Sequence, residues 1–142
     1  MVTKGYFNNP DADKKAFQAG WLKTGDLGYL DEEGFLYVVD RRHDLIISGG
    51  ENIYPSEIES VITELTNVQE VGVIDKPDDK WGEIPVAFIV KEDQNALDEE
   101  AVQTYVRGRL ASYKVPKEVY FVEELPRNAS NKLMRYKLKE WL

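Results

Sequence analysis

An α+β fold, a small mixed β-sheet flanked by helices, follows from three features of the 142 residues. From residue 44 onward, extended and helical patterns are mixed in the order β-β-α-β-β-α-β-α. Residues 85–90 are an apolar run rich in branched side chains, as in a central strand covered on both faces. Two longer segments each carry one apolar face at helical spacing, which gives the sheet something to pack against. Hydrophobic residues at 42% and charged residues at 31% suit a chain that buries a core, and exclude a disordered one.

Residues 1–20 read as irregular, because Gly5, Asn8, Asn9, Pro10 and Gly20 are turn formers with little apolar periodicity around them. Residues 21–30 are short and turn-rich. The Asp31, Glu32, Glu33, Gly34 turn before a strand at 35–39 predicts a β-hairpin. Residues 40–44 are all ionisable and interrupt the pattern, and a strand resumes at 45–47. Ser48, Gly49 and Gly50 break it before a short extended piece at 51–54. Pro55 opens a helix, with Glu57 favoured by the helix dipole, and Ile58, Val61, Ile62 and Leu65 form its apolar face. A short strand at 71–74, a polar loop at 75–82 and the central strand at 85–90 follow. A second helix over 97–110 aligns Val102, Tyr105, Val106 and Leu110. A strand at 119–122, a loop at 125–132 and a short helix over 133–142 complete the chain. Residues 1–40 are too few for a domain and read as the fringe of a larger upstream domain, whereas 41–142 form a small domain of their own.

Composition excludes several chemistries. With no cysteine there is no disulfide scaffold, thiol nucleophile or thiolate metal site. One histidine, His43, excludes a histidine-cluster metal site and any mechanism that needs two. A net charge of -8 argues against nucleic acid as the main partner. Only residues 113–142 are basic, with seven cations against four acids. No apolar run approaches the ~20 residues needed to span a bilayer. The first fifteen residues lack an apolar core of signal-peptide type, so a cytoplasmic location is expected.

Four clusters carry candidate chemistry. Asp26, in a Gly-containing turn, could accept hydrogen bonds from vicinal hydroxyls such as those of a ribose, or could simply cap its turn. Arg41, in the charged stretch, could reach a phosphate or ribose, or belong to a solvated loop. Gly49 and Gly50 let the backbone approach a ligand closely, or make a plain turn. Lys132 ends a polar loop, where a mobile point charge suits phosphate or carboxylate oxygens, or only faces water.

Their order and spacing together carry more than any one of them. Residues 21–26, Asp40-Arg41, the string SGGENIYPSEIE at 48–59, Trp81-Gly82-Glu83, Tyr113-Lys114-Val115-Pro116 and Lys132 resemble the C-terminal region of adenylate-forming enzymes. That superfamily includes acyl-CoA synthetases, adenylation domains of peptide synthetases and beetle luciferases. The resemblance runs from about residue 20 to the end, and SGGENIYPSEIE and LPRNASNKL look most like acyl-CoA ligases.

The resemblance implies a fragment of an AMP-forming acid–thiol ligase. Such an enzyme uses ATP with Mg2+ and coenzyme A as substrates, along with a small carboxylic acid. The implied partner is the upstream adenylation domain, over which this small domain closes as a lid. Residue by residue, Asp26 matches the acid that binds the ribose hydroxyls, and Arg41 the arginine near ribose and phosphate. His43 matches the hinge, where the family usually has Asp or Lys. Ser48, Gly49 and Gly50 match the loop lining the CoA pantetheine tunnel, and Glu51 an acid that meets the large domain. Lys132 matches the lysine that touches carboxylate and α-phosphate during adenylation. The family usually has Gly before that lysine, and Asn131 tolerates φ > 0 better than most residues. No metal ligand is implied. The alternatives are the lid of another acyl-CoA synthetase, the lid of a peptide-synthetase adenylation domain, which the lack of a carrier segment after Leu142 disfavours, or a non-catalytic interaction module. Retention of both Asp26 and Lys132 argues against the latter.

Overall fold

The computed structural model describes residues 3–92 and 97–142. The chain divides into two compact units, Met1–His43 and Asp44–Leu142. The division falls three residues past the expected 40/41 border, because Asp40 and Arg41 are strand-paired within the first unit.

In the first unit, residues 10–16 are helical and not irregular: α1 spans Pro10–Ala16. Pro10 sits at the first helical position, and the Asn9 side chain accepts the Ala12 N–H at 3.1 Å. Two short antiparallel strands follow, β1 (Phe17–Gln18) and β2 (Trp21–Leu22). The expected hairpin is formed by β3 (Asp26–Leu30) and β4 (Leu36–Arg41). Asp31 closes its turn by accepting the N–H groups of Phe35 at 2.8 Å and Glu33 at 3.0 Å. These bonds, led by that from Phe35, hold its carboxyl below the usual range. No described residue of this unit is buried, and Trp21, Phe35 and Leu36 lie open.

The second unit follows the expected element order. It contains β5 (Ile46–Ser48), β6 (Glu51–Ile53), α2 (Pro55–Thr63), β7 (Val68–Asp78) and β8 (Gly82–Lys91). Then come α3 (Glu99–Arg107), β9 (Glu118–Val122) and the single helical turn α4 (Arg135–Leu138), which tightens into a 3-10 turn at Lys139–Trp141. The sheet runs β6-β5-β8-β7, with β9 on β8; all pairs are antiparallel except β8–β9, which makes the sheet mixed.

Strand β8 is the centre of the unit. Ala87 and Ile89 point into one apolar cluster with Ile58 and Ile62 of α2 and Val102 and Val106 of α3. Val86, Phe88 and Val90 point into a second cluster with Leu125 and Leu138. Period-2 alternation thus feeds two cores, which is why the segment is apolar throughout. Gly72 of β7 opens onto the second cluster. A Cβ there would lie 3.0 Å from the side chains of both Leu133 and Leu138, so the glycine lets α4 and the segment before it close onto the sheet.

Strand β7 corrects the expected short strand and polar loop. Its pairing with β8 continues to Asp78 opposite Gly82, so only residues 79–81 make the turn. The backbone pairing is indifferent to the polar side chains of Asp75, Lys76 and Asp78. Pro77 is tolerated because β7 is an edge strand, where a missing N–H costs no ladder bond. The Asp78 carboxylate closes the turn by accepting the N–H groups of Lys80 and Trp81 at 2.9 and 2.8 Å.

Between β7 and β9, the Lys76 ammonium donates to both oxygens of Glu118 at 2.7 and 2.8 Å, and the Tyr120 hydroxyl donates to the same carboxylate at 2.5 Å. The Lys76 bond, then the Tyr120 bond, holds Glu118 below the usual carboxylate range. A lowered folded-state value gives stability that is present above the unfolded carboxylate range and lost as pH falls through the folded one. Glu118→Gln is expected to lower the melting temperature near neutral pH, and the difference to shrink as pH falls below the ordinary carboxylate range, a trend that melting curves over a pH series would read.

Candidate functional site

The candidate residues fall in three places. The first is the opening of the β3–β4 hairpin. Asp26 and Arg41 are cross-strand partners, and the Arg41 guanidinium lies 2.9 Å from the Asp26 carboxylate. Arg41 Nη1 also donates to the Thr24 carbonyl at 3.2 Å, and the Asp26 N–H donates to Thr24 Oγ1 at 3.1 Å. Gly25, at φ +78°, turns the chain so that its carbonyl accepts the Arg42 N–H at 2.9 Å. The two residues expected near a ribose are therefore one ion pair at the unit's surface, and the second Asp26 oxygen has no partner among the described residues. The register depends on an irregularity between Leu27 and Gly28, which no sequence pattern signals. His43 follows in an exposed 3-10 turn, Arg42–Asp44, at the border of the two units.

The second place is the β5–β6 turn. Ser48 is the buried polar residue at its start, paired with Glu51 on one side and Gly82 on the other. Gly49 and Gly50 have φ +59° and +88°, the left-handed region that favours glycine. The Gly49 N–H donates to the Trp81 carbonyl at 2.8 Å, and a Cβ on Gly49 would come within 2.9 Å of the Trp81 ring. Glu83 accepts the Ile47 N–H at 2.8 Å, in place of a strand partner. Trp81 and Glu83, quoted for the sequence resemblance without a role, are thus the backing of the glycine turn. Glu51 is exposed where the chain enters β6.

The third place is the loop ending in Lys132. An antiparallel bridge between Arg127 and Leu133 closes it, and the Asn128 N–H donates to the Lys132 carbonyl at 2.9 Å. The Asn128 side chain accepts the N–H groups of Ser130 and Lys132 at 3.0 and 2.9 Å, which fixes the turn from inside. Asn131 has φ +60°, the conformation for which glycine is the usual choice. The Lys132 side chain is exposed, with no hydrogen bond or ion pair among the described residues. It stands as an uncommitted point charge on a tightly built turn.

Sequence reasoning missed the supports of this loop. Arg135, three residues after Lys132, donates to both Glu59 oxygens at 2.7 and 2.8 Å and reaches the Val73 carbonyl at 3.2 Å and Asp44 at 3.4 Å. Glu59 in turn accepts the Val73 N–H at 2.8 Å. Arg127 pairs with Glu70 on β7. The partners of Arg127 and Arg135 lie 57 to 91 residues from them in sequence, beyond the reach of any local signal.

The second and third places are held at opposite ends of β8. The glycine turn is anchored at Gly82, and the lysine loop is tied to Glu70, which pairs with Val90. Those anchors are eight residue steps apart along the strand, about 26 Å at roughly 3.3 Å per residue.

A family model, described as the AMP-binding enzyme C-terminal domain, matches residues 57–132. The chain belongs to this family. Over 139 residues, 98% of the chain, it is 60% identical to a 2-succinylbenzoate–CoA ligase of Listeria monocytogenes. The chain spans 29% of that relative's length. A solved structure of o-succinylbenzoate CoA synthetase (MenE) from Bacillus subtilis, in complex with its acyl-adenylate intermediate OSB-AMP, superposes with a TM-score of 0.91. It is 54% identical, over 97% of this chain and 28% of that one. The same enzyme in complex with ATP and magnesium ion superposes at 0.87 with the same identity and coverage. These family members carry the same mixed α+β arrangement. No helix among the described residues is long and apolar enough to cross a membrane.

Proposed function

We propose that this chain is the C-terminal lid segment of an AMP-forming carboxylate–CoA ligase whose acid is 2-succinylbenzoate, in menaquinone biosynthesis. The observation that carries this reading is 60% identity to such a ligase over 98% of the chain. The activity belongs to the whole enzyme, of which this chain supplies under a third of the length. Its partner is the upstream adenylation domain, with the exposed hairpin unit as that domain's fringe, and its location is the cytoplasm.

In the first half-reaction a carboxylate oxygen attacks the α-phosphorus of ATP, and the bond to pyrophosphate breaks. Two anions must meet, and Lys132 is the cation that offsets their repulsion. Asp26 holds the ribose hydroxyls through its free oxygen, oriented by Arg41. In the second half-reaction the CoA thiol sulfur attacks the acyl carbon and AMP leaves. Here Ser48, Gly49 and Gly50 line the pantetheine tunnel, and Glu51 meets the large domain. Rotation about His43 exchanges the two faces. Among the described residues, no group of three or more His, Cys, Asp or Glu side chains is arranged to hold a metal ion. A related enzyme is solved in complex with ATP and magnesium ion, which supports Mg2+ entering together with ATP as substrate.

The test replaces the matching C-terminal segment of the Listeria ligase with this chain. The hybrid is expected to form the CoA thioester of 2-succinylbenzoate at a rate close to that of the natural ligase, and the 142 residues alone to form none. A folded hybrid without that activity, or turnover by the segment alone, would sink the proposal.

A further inference from the structure

Lys132 owes its aim to the peptide that precedes it. That peptide follows Asn131, whose left-handed backbone is sparsely populated by residues other than glycine, asparagine and aspartate. The Asn128 side chain fixes the N–H side of the peptide, at Lys132. Its carbonyl side is fixed from elsewhere: Arg127 Nη1 donates to the Asn131 carbonyl at 2.9 Å. The other edge of the same guanidinium is held by Glu70, with Nε at 2.9 Å and Nη2 at 2.6 Å from one carboxylate oxygen. Glu70 stands on β7, paired with Val90 of the central strand. A path of hydrogen bonds therefore runs from the sheet through Glu70 and Arg127 to the peptide immediately before the lysine.

We propose that Arg127 is a positioning residue for Lys132 in the adenylation half-reaction, and that Glu70 is what holds Arg127 to that task. The inference rests on the lid reading given above. A planar guanidinium can serve the carboxylate with one edge and the carbonyl with the other at once, which the compact ammonium of lysine cannot do from one position. Glu70 also neutralises Arg127, so that Lys132 faces an incoming anion without a rival cation beside it. Releasing the Asn131 carbonyl frees the peptide to turn over, and the lysine then starts from a different direction. A displacement of about 1 Å at a reacting group can cost roughly a hundredfold in rate.

The experiment uses a full-length ligase in which this chain supplies the C-terminal segment. Arg127→Gln, Arg127→Lys, Glu70→Gln, the double variant Glu70→Gln/Arg127→Gln, and Lys132→Ala are compared in three measurements. These are carboxylate-dependent ATP–pyrophosphate exchange, thioester formation from supplied acyl-adenylate and CoA, and the melting temperature. Exchange is expected to fall about tenfold to a hundredfold in all three single variants of the pair. Thioester formation should stay within about twofold, and the double variant should be no worse than Arg127→Gln, since both act along one path. Loss in Arg127→Gln with parental exchange in Glu70→Gln would mean that Arg127 acts on substrate by its own charge, and the proposal would be overturned. Parental exchange in all the pair's variants, or an equal fall in both half-reactions together with the melting temperature, would reduce the pair to a structural salt bridge and overturn it as well. If exchange survives in Lys132→Ala, the adenylation role of Lys132 on which this proposal rests fails, and this proposal with it. Lys132→Ala losing exchange while the pair's variants keep it would sink the proposal alone.

Discussion

In the full ligase, Lys132→Ala is expected to lower carboxylate-dependent ATP–pyrophosphate exchange by about a hundredfold to a thousandfold, the loss typical of one preorganised charge-stabilising donor. Thioester formation from supplied acyl-adenylate and CoA is retained. The asymmetry follows from the chemistry: only adenylation brings a carboxylate against a phosphate, and only there is a cation needed between them. The fold should not register the change, because the Lys132 side chain is exposed and unpaired among the described residues and its turn is built from backbone groups. Lys132→Arg is expected to recover only part of the exchange, since a planar fork does not replace a compact ammonium. Equal loss in both half-reactions would remove Lys132 from its assigned step.

Gly49→Ala has the opposite signature, with thioester formation down by about tenfold to a hundredfold and exchange kept. Two effects act on one added carbon. At φ +59° an L side chain is strained, at a cost of about 1–2 kcal/mol. The Cβ also meets the Trp81 ring at 2.9 Å, so the ring must shift and carry the backing of the turn with it. If the turn lines the proposed tunnel, its wall is thereby both pushed and thickened. The melting temperature should fall modestly, as measured by thermal unfolding of the same preparations. Gly50 is the internal comparison, because a Cβ there meets nothing within 4 Å, so Gly50→Ala carries the φ strain without the collision. Parental thioester formation in Gly49→Ala would take the turn out of the thiol step.

The residues most legible in the sequence were those whose role is fixed locally. The 85–90 run announced β8 because both of its faces are buried. Asn131 in place of glycine pointed to a left-handed residue, and one is there. Local reading failed where long-range pairing decides. Residues 75–78 look like a loop, yet they complete β7 because β8 supplies partners for their backbone. Helix α1 was missed for a different reason: Asn9 and Pro10 are as good a helix start as a turn, and so few apolar residues follow that periodicity could not arbitrate. At the candidate site, the individual residues could be picked out, but not their bonds. That Asp26 meets Arg41 depends on a strand register with an irregularity in it. That Glu70 meets Arg127 depends on the sheet bringing together residues 57 positions apart.

The span of about 26 Å along β8 also bears on how such a segment can change over generations. Sites farther apart than about 10 Å with no shared partners behave independently under substitution. The turn at Gly49 draws its support from Trp81 and Glu83, the loop at Lys132 from Glu70, Arg127 and Asn128, and the two sets have no member in common. On the half-reaction roles proposed above, drift at one of the two places can therefore be repaired or exploited without disturbing the other. An engineer can likewise combine a variant stalled before the acyl-adenylate with one stalled after it, and expect each half-reaction to show its own defect alone.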